Sequence, residues 1–254
     1  MAGDLWVLDI TRSTFSRLIS EQTGATFRAN TFPIFTPDGT RVVFKTRTNL
    51  RWVNANGSGR PQDIPGTLAS DFPGSISPDG TLLTFVRVNP RGGDVYVVSL
   101  NGDPNPRPVV ETPAIDGGPR FSPDGRWLAY ASNDTNQLQV YLRSLAGPER
   151  RWQVSTDGGT SPLWSRDGRE LFYRSGDRMM VVEVSPGAEP GLSRPRILFE
   201  QAFAYGTTIT TPNYDVRPDG QSFLMVREPA QTARLNVVVN WFSELARLAP
   251  GGTR

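Results

Sequence analysis

The chain has 254 residues and a formal net charge of +2, so no strong field marks it as a nucleic-acid partner. It contains no histidine and no cysteine, which excludes a Ser-His-Asp triad, histidine-ligated zinc, thiol catalysis and a disulfide framework. No apolar run approaches the roughly 20 residues that cross a bilayer, and 25 glycines with 22 prolines point to many short strands joined by turns.

The N-terminus, MAGDLWVLDI, enters a strand pattern at once, and FSRLI (15–19) reads as its partner. No signal peptide is visible, and an upstream segment is expected before this start. From residue 31 a phrase repeats. It occurs as TFPIFTPDG (31–39), FPGSISPDG (72–80), GGPRFSPDG (117–125), TSPLWSRDG (160–168) and PNYDVRPDG (212–220). The turn aspartates Asp38, Asp79, Asp124, Asp167 and Asp219 are spaced by 41, 45, 43 and 52 residues. That period, rich in short strands, is the spacing of propeller blades.

Each phrase has the same parts. An apolar residue (Phe35, Ile76, Phe121, Trp164 or Val216) precedes the turn. Pro presets φ at the first corner, Asp suits the second and bonds its own backbone, and Gly takes the left-handed position. An alternating run follows: RVVF (41–44), LLTF (82–85), WLAY (127–130), ELFY (170–173) and SFLM (222–225). Third strands are predicted at LRWVNA (50–55), DVYVVSL (94–100), LQVYLRSL (138–145), MMVVEV (179–184) and LNVVVNWF (235–242). Weaker fourth strands fall at RPVV (107–110), RWQVS (151–155) and RPRILF (194–199).

The pattern predicts one all-β domain over 1–254: a β-propeller of about six four-stranded blades, one of them incomplete or composite. Five blades closed by an N-terminal strand is the alternative, since an open ring would leave an exposed edge. FSELARL (242–248) is predicted as a short helix with Phe242, Leu245 and Leu248 on one face. The six tryptophans lie in strand patterns and read as packing between blades. VVFK (42–45) superficially looks like the kinase strand that carries the ATP lysine, but no companion motif is present, and Lys45 reads as a blade-surface residue.

The SPDG turns, PLWS (162–165) and GDLWVLD (3–9) resemble the TolB-like branch of the WD-like propellers. Three tail segments, 153–184, 214–226 and 236–250, resemble the C-terminal propellers of bacterial Ser/Thr protein kinases. The resemblance implies a module that binds a small molecule, a peptide or a protein partner. It also implies a piece of a larger envelope or kinase-linked protein, with a periplasmic or extracytoplasmic placement.

First strands of a propeller converge on a central channel, so loops that enter them meet at one mouth. Counting back five residues from the pre-turn apolar positions gives Asn30, Asp71, Asp116, Gly159 and Thr211. Asn30, Asp71 and Asp116 are therefore candidate ligands for a hard cation such as Ca²⁺. Arg120, Asn213 and Asp215 are candidate ligand-binding residues, with Arg120 placed to pair with Asp215 or to hold an anion. The bland reading is that these are turn formers and hydrated channel residues. The alternative function is a Ca²⁺-dependent hydrolase of esters, lactones or phosphotriesters, with Asp71, Asp116 and Asp215 as its carboxylates. STDGGT (155–160) shares part of the sialidase Asp-box but fits better as a linker between blades.

Overall fold

The structure is a computed structural model that describes residues 4–19, 30–146, 148–204 and 212–226. Those residues form six antiparallel sheets in chain order. The first pairs β1 (Leu5–Asp9) with β2 (Thr14–Ile19). Blade two holds β3 (Thr31–Phe35), β4 (Arg41–Lys45), β5 (Leu50–Asn54) and β6 (Gln62–Asp63). Blade three holds β7 (Asp71–Ile76), β8 (Leu82–Arg87), β9 (Asp94–Ser99) and β10 (Arg107–Val110). Blade four holds β11 (Asp116–Phe121), β12 (Trp127–Ser132), β13 (Gln139–Ser144) and β14 (Arg151–Gln153).

Blade five holds β15 (Thr160–Trp164), β16 (Glu170–Ser175) and β17 (Arg178–Ser185). The outer edge of β17 carries both β18 (Gly191–Leu192) and β19 (Arg196–Glu200). The last sheet pairs β20 (Tyr214–Val216) with β21 (Phe223–Met225). The two short strands β6 and β18 lacked a hydrophobic run and were invisible to pattern reading. The strand expected at 235–242 and the helix expected at 242–248 lie outside the described residues.

Each expected hairpin forms, and its serine or threonine has a part that the turn rules alone do not assign. In blade four the Ser122 hydroxyl donates to Asp124 Oδ1 (2.5 Å) and accepts the Trp127 N–H (2.9 Å). Asp124 Oδ1 then accepts the Arg126 N–H at 3.1 Å. The same relay runs through Thr36–Asp38, Ser77–Asp79 and Ser165–Asp167. Thus the hydroxyl before Pro or Arg ties both arms of the hairpin to the turn carboxylate. In the last copy Arg217 takes the serine's place and pairs with Asp219 at 3.2 Å.

The apolar cores lie between sheets. Leu5 packs with Val42, Phe44 and Val53. Val43, Leu50 and Ile64 meet Leu83, Phe85 and Val98. Val95, Val97 and Val110 meet Phe121, Leu128 and Tyr130. Trp127, Val140 and Leu142 meet Trp164, Leu171 and Val182. Phe172, Met179 and Val181 meet Tyr214. Five junctions therefore join the six sheets in series. A middle strand such as β12 is buried at all six positions, because each of its faces meets a different neighbour. Trp127 stands edge-on to Trp152 of its own blade at 5.2 Å, and the Trp164 indole donates to the Arg120 carbonyl of the preceding blade at 3.2 Å. Trp127 and Trp164 thus pack between blades as expected, whereas Trp6 is exposed and Trp241 lies outside the described residues.

The innermost strands β3, β7, β11 and β15 share one irregularity. Each shifts pairing register by one residue just before the turn. In β3, β11 and β15 the break contains Pro33, Pro119 or Pro162, which has no N–H for a ladder. In β7 Pro73 keeps Phe85 as its partner and the break falls at Gly74 and Ser75. Blade contact is close there. A methyl group on Gly74 would lie 2.5 Å from Pro119 Cγ and 3.1 Å from the Thr84 carbonyl. We expect Gly74→Ala to lower unfolding free energy by about 2 kcal/mol through overpacking, measured by urea denaturation.

The turn carboxylates set an acid limit. Hydrogen bonds from Thr36 and Thr40 hold Asp38 down at about 2, and similar bonds depress Asp79 and Asp167. A carboxyl group whose folded value is depressed stabilises the fold above its ordinary value of 3.8, and that contribution disappears as pH falls through the folded value. Melting temperature is expected to fall between about pH 4 and pH 2. A variant with asparagine at Asp38, Asp79 and Asp167 should show a shallower fall over the same window.

Candidate functional site

The residues before the pre-turn apolar positions of the inner strands are Ile34, Ser75, Arg120, Leu163 and Asp215. Of these, Ile34 and Leu163 pack against the apolar junctions between sheets. The neighbours of the five, Phe35, Ile76, Phe121, Trp164 and Val216, register with Val42, Leu83, Leu128, Leu171 and Phe223. Two of the five are charged, with opposite signs. The Arg120 guanidinium feels both Tyr214 and Asp215 of the last sheet, two blades further along the chain. A side chain reaches past an intervening blade in this way only if the sheets curve round a common axis.

Arg120 is the best-defined polar group on that axis. Its Nη1 donates to the Gly74 carbonyl of blade three. Its Nε is sealed from solvent and has no hydrogen-bond partner. Burial lowers its pKa to about 10, opposed by Tyr214 and Asp215. Burial likewise raises the Tyr214 phenol, whose hydroxyl donates to the Ser161 carbonyl at 2.8 Å. Asp215 is exposed and accepts the Val216 N–H at 2.9 Å. Asp215 acts on the Arg120 charge, but the pairing expected of the two is not made, since no salt bridge joins them among the described residues. Asn213 donates its amide to the Ala204 carbonyl, which Arg174 also reaches at 2.7 Å. Asn213 therefore ties down a chain segment beside the axis.

The carboxylates expected at the channel mouth do begin inner strands. Asp71 opens β7 and Asp116 opens β11. Register pairs Thr31 with Lys45, Asp71 with Arg87, Asp116 with Ser132 and Thr160 with Arg174. These pairs differ only in where the strand begins: all four hairpins are symmetric about the turn aspartate and share one register. The positions equivalent to Asp71 and Asp116 are therefore Asn30 and Gly159, where counting back five residues puts them, and β3 and β15 begin one residue later than β7 and β11. Asn30 adopts a left-handed φ of 61°, a conformation that Asn tolerates better than most residues.

Asp71 is fully buried and fully engaged. Arg87 donates Nε to its Oδ1 and Nη2 to its Oδ2, both at 2.8 Å, and the Leu68 N–H adds a third bond at 2.8 Å. Sequence reasoning did not single out Arg87, although the run after each turn ends on a basic residue at Lys45, Arg87 and Arg174. Lys45 itself is not a free surface group. It is half-buried at the blade junction, lies 4.5 Å over the Phe72 ring and donates to the Ala69 carbonyl. Burial lowers its pKa, against the pull of Asp71. Asp116 accepts from the Thr112 hydroxyl at 2.8 Å. Among the described residues, no three Asp or Glu side chains gather at a spacing that would hold a metal.

A family model described as the TolB beta propeller domain matches residues 71–244. The chain belongs to the TolB β-propeller family. No curated protein matches it. Among solved structures, this TolB-family chain is similar to a putative TolB from Agrobacterium tumefaciens, with a TM-score of 0.65 and 19% identity over 90% of this chain and 84% of that one. It is also similar to TolB from Acinetobacter baumannii, with a TM-score of 0.60 and 16% identity over 87% of this chain and 58% of that one. A manganese-bound oligogalacturonate lyase gives 0.64 and 16% identity over 91% of this chain and 66% of that one. The chain thus spans well under the full length of the last two. At these identities the likeness establishes the fold of the TolB-family propeller and leaves its chemistry to the residues.

The Asp71–Arg87 pair supplies a test of the site's electrostatics. Removing one partner of a buried, hydrogen-bonded pair leaves an uncompensated charge. Arg87→Met is expected to cost about 3 kcal/mol of unfolding free energy, and adding Asp71→Asn should restore part of that loss in chemical denaturation.

Proposed function

We propose that this propeller is a non-catalytic binding module whose channel holds a carboxylate-bearing ligand, such as an acidic peptide segment presented by a protein partner. The observation that carries the reading is the sealed, unpartnered Nε of Arg120. A buried guanidinium N–H without an acceptor is costly, and a ligand carboxylate matches its planar fork in shape and charge. Asp215, exposed on the same axis, would then select ligands that carry a donor or a positive group beside the anion. Family membership supports the binding role, and we take the whole of residues 1–254 to be one such domain.

The hydrolase alternative has less support. A metal at Asp71 would have to displace Arg87 and the Leu68 N–H, and Asp215 lies on the last sheet, with Arg120 as its charged neighbour. Among the described residues no helix is long and apolar enough to cross a membrane.

The test is fluorescence anisotropy with a panel of short labelled peptides, acidic against amidated or basic. Acidic members should bind saturably, and Arg120→Met should weaken them by about 10- to 100-fold, the worth of a charge-assisted hydrogen bond. Asp215→Asn should change which peptides are preferred. Equal binding of acidic and neutral peptides, or an unaltered affinity in Arg120→Met, would refute the reading.

A further inference from the structure

In blade three the buried carboxylate that opens the inner strand, Asp71, pairs in register with a cation at the end of the second strand, Arg87. The equivalent positions hold Asn30 and Thr46 in blade two and Gly159 and Ser175 in blade five, with no carboxylate to neutralise. Blade four puts Ser132 at the second-strand position, opposite Asp116. Asp116 is nevertheless as deeply buried as Asp71, at 0% exposure. Its Oδ2 accepts from Thr112, but its Oδ1 is sealed and has no partner.

A second carboxylate stands in the same condition beside it. The Asp116 N–H donates to the Gly93 carbonyl at 2.8 Å, which brings the start of β11 against the start of β9 and therefore against Asp94. The approach is close enough to need glycine. A methyl group on Gly92 would lie 2.5 Å from Ile115 Cγ1, and one on Gly93 would lie 3.3 Å from the Asp116 carbonyl. Asp94 is 4% exposed. Its Oδ2 accepts from Asn89 at 2.5 Å, and its Oδ1 is also sealed without a partner.

The charges around the pair do not neutralise it. Burial raises both carboxyl groups above the ordinary range. Ser132 and Thr112 draw Asp116 back down while Asp134 pushes it up. Arg91 draws Asp94 down, while Asp116 and Glu111 push it up. Neither aspartate has a salt bridge among the described residues, and Asp134 is already bound to Arg151. Two adjacent buried anions without a positive partner would cost several kcal/mol.

We propose that Asp94 and Asp116 form the seat of a divalent hard cation, with Ca²⁺ as the type, at the junction of blades three and four. The ion occupies the role that the Arg87 guanidinium fills one blade earlier. Two carboxylates match a divalent charge, and carboxylate oxygens are the ligands that such ions prefer. Thr112, which bonds Asp116, also lines a cleft of about 440 Å³ together with Glu111, Tyr130, Arg143 and Arg151. The site differs from the three-residue set read from sequence, because Asp71 is spent on Arg87 and Asp94 takes its place. It does not rest on the peptide-binding reading, since neither Arg120 nor Asp215 contributes.

The test uses the whole chain, stripped with chelator and titrated with Ca²⁺, Mg²⁺ and Mn²⁺ up to millimolar concentration, by calorimetry and thermal melting at pH 7. One saturable site per chain and a melting temperature that rises with ion concentration are expected. Asp94→Asn and Asp116→Asn, near-isosteric changes, should remain folded by circular dichroism and bind at least tenfold more weakly. Ser132→Arg, which restores the blade-three arrangement, should lose the ion response. Failure of all three ions to bind, or binding unchanged in both asparagine variants, overturns the proposal. So does a metal-free protein that gains stability from pH 7 to pH 5 with no response to ions, since the pair would then hold a proton.

Discussion

Everything in this structure depends on burying both faces of narrow sheets against one another. A four-stranded sheet of this size has two apolar faces and cannot cover either one alone. Here Val43 and Leu50 cover Leu83 and Phe85, and Trp127 and Leu142 cover Trp164 and Leu171, so that each interior sheet shares a core with two neighbours. The hydrophobic term is large and non-directional. What gives it a direction is the hairpin relay, in which one hydroxyl and one turn carboxylate tie the inner strand to the second in blades two to five.

That packing brings polar residues together at the blade mouths, where water is scarce, and the blades handle them differently. Blade three buries a carboxylate and supplies its own guanidinium, held by two parallel hydrogen bonds. Blade five has Gly159 and Ser175 at the equivalent positions, and Arg174, one residue earlier, turns to the carbonyls of Phe203 and Ala204. Blade four keeps the carboxylate and discards the base. The fold tolerates all three because the mouth lies at the end of the strands, outside the apolar junctions. A family can therefore vary its chemistry there at small cost to the core.

The axis shows a second division of labour. Ile34 and Leu163 join the apolar junctions between sheets, while Arg120 and Asp215 supply opposite charges from strands two blades apart. The guanidinium is held in place by Gly74 and kept partly dry by its neighbours. A pre-positioned, incompletely satisfied donor of this sort favours recognition over structural support, because its hydrogen-bonding capacity is not used up by the fold.

The sequence by itself determined the repeat, the hairpins, the order of strands and the exclusion of thiol and imidazole chemistry. These are local properties, written in Pro-Asp-Gly turns and in alternation of period two. It also marked Arg120 and Asp215 as charged residues of the innermost strands. Only the tertiary structure decided which of the mouth carboxylates are free. Asp71 and Asp116 stand at the same register position, and which partner each meets is set by the residue that the second strand places there, Arg87 or Ser132. Asp94 was out of reach of any single-repeat reading, since it belongs to the third strand of one blade and lies beside Asp116 of the next. Contacts between repeats arise from how sheets stack, and stacking leaves no periodic trace in the chain.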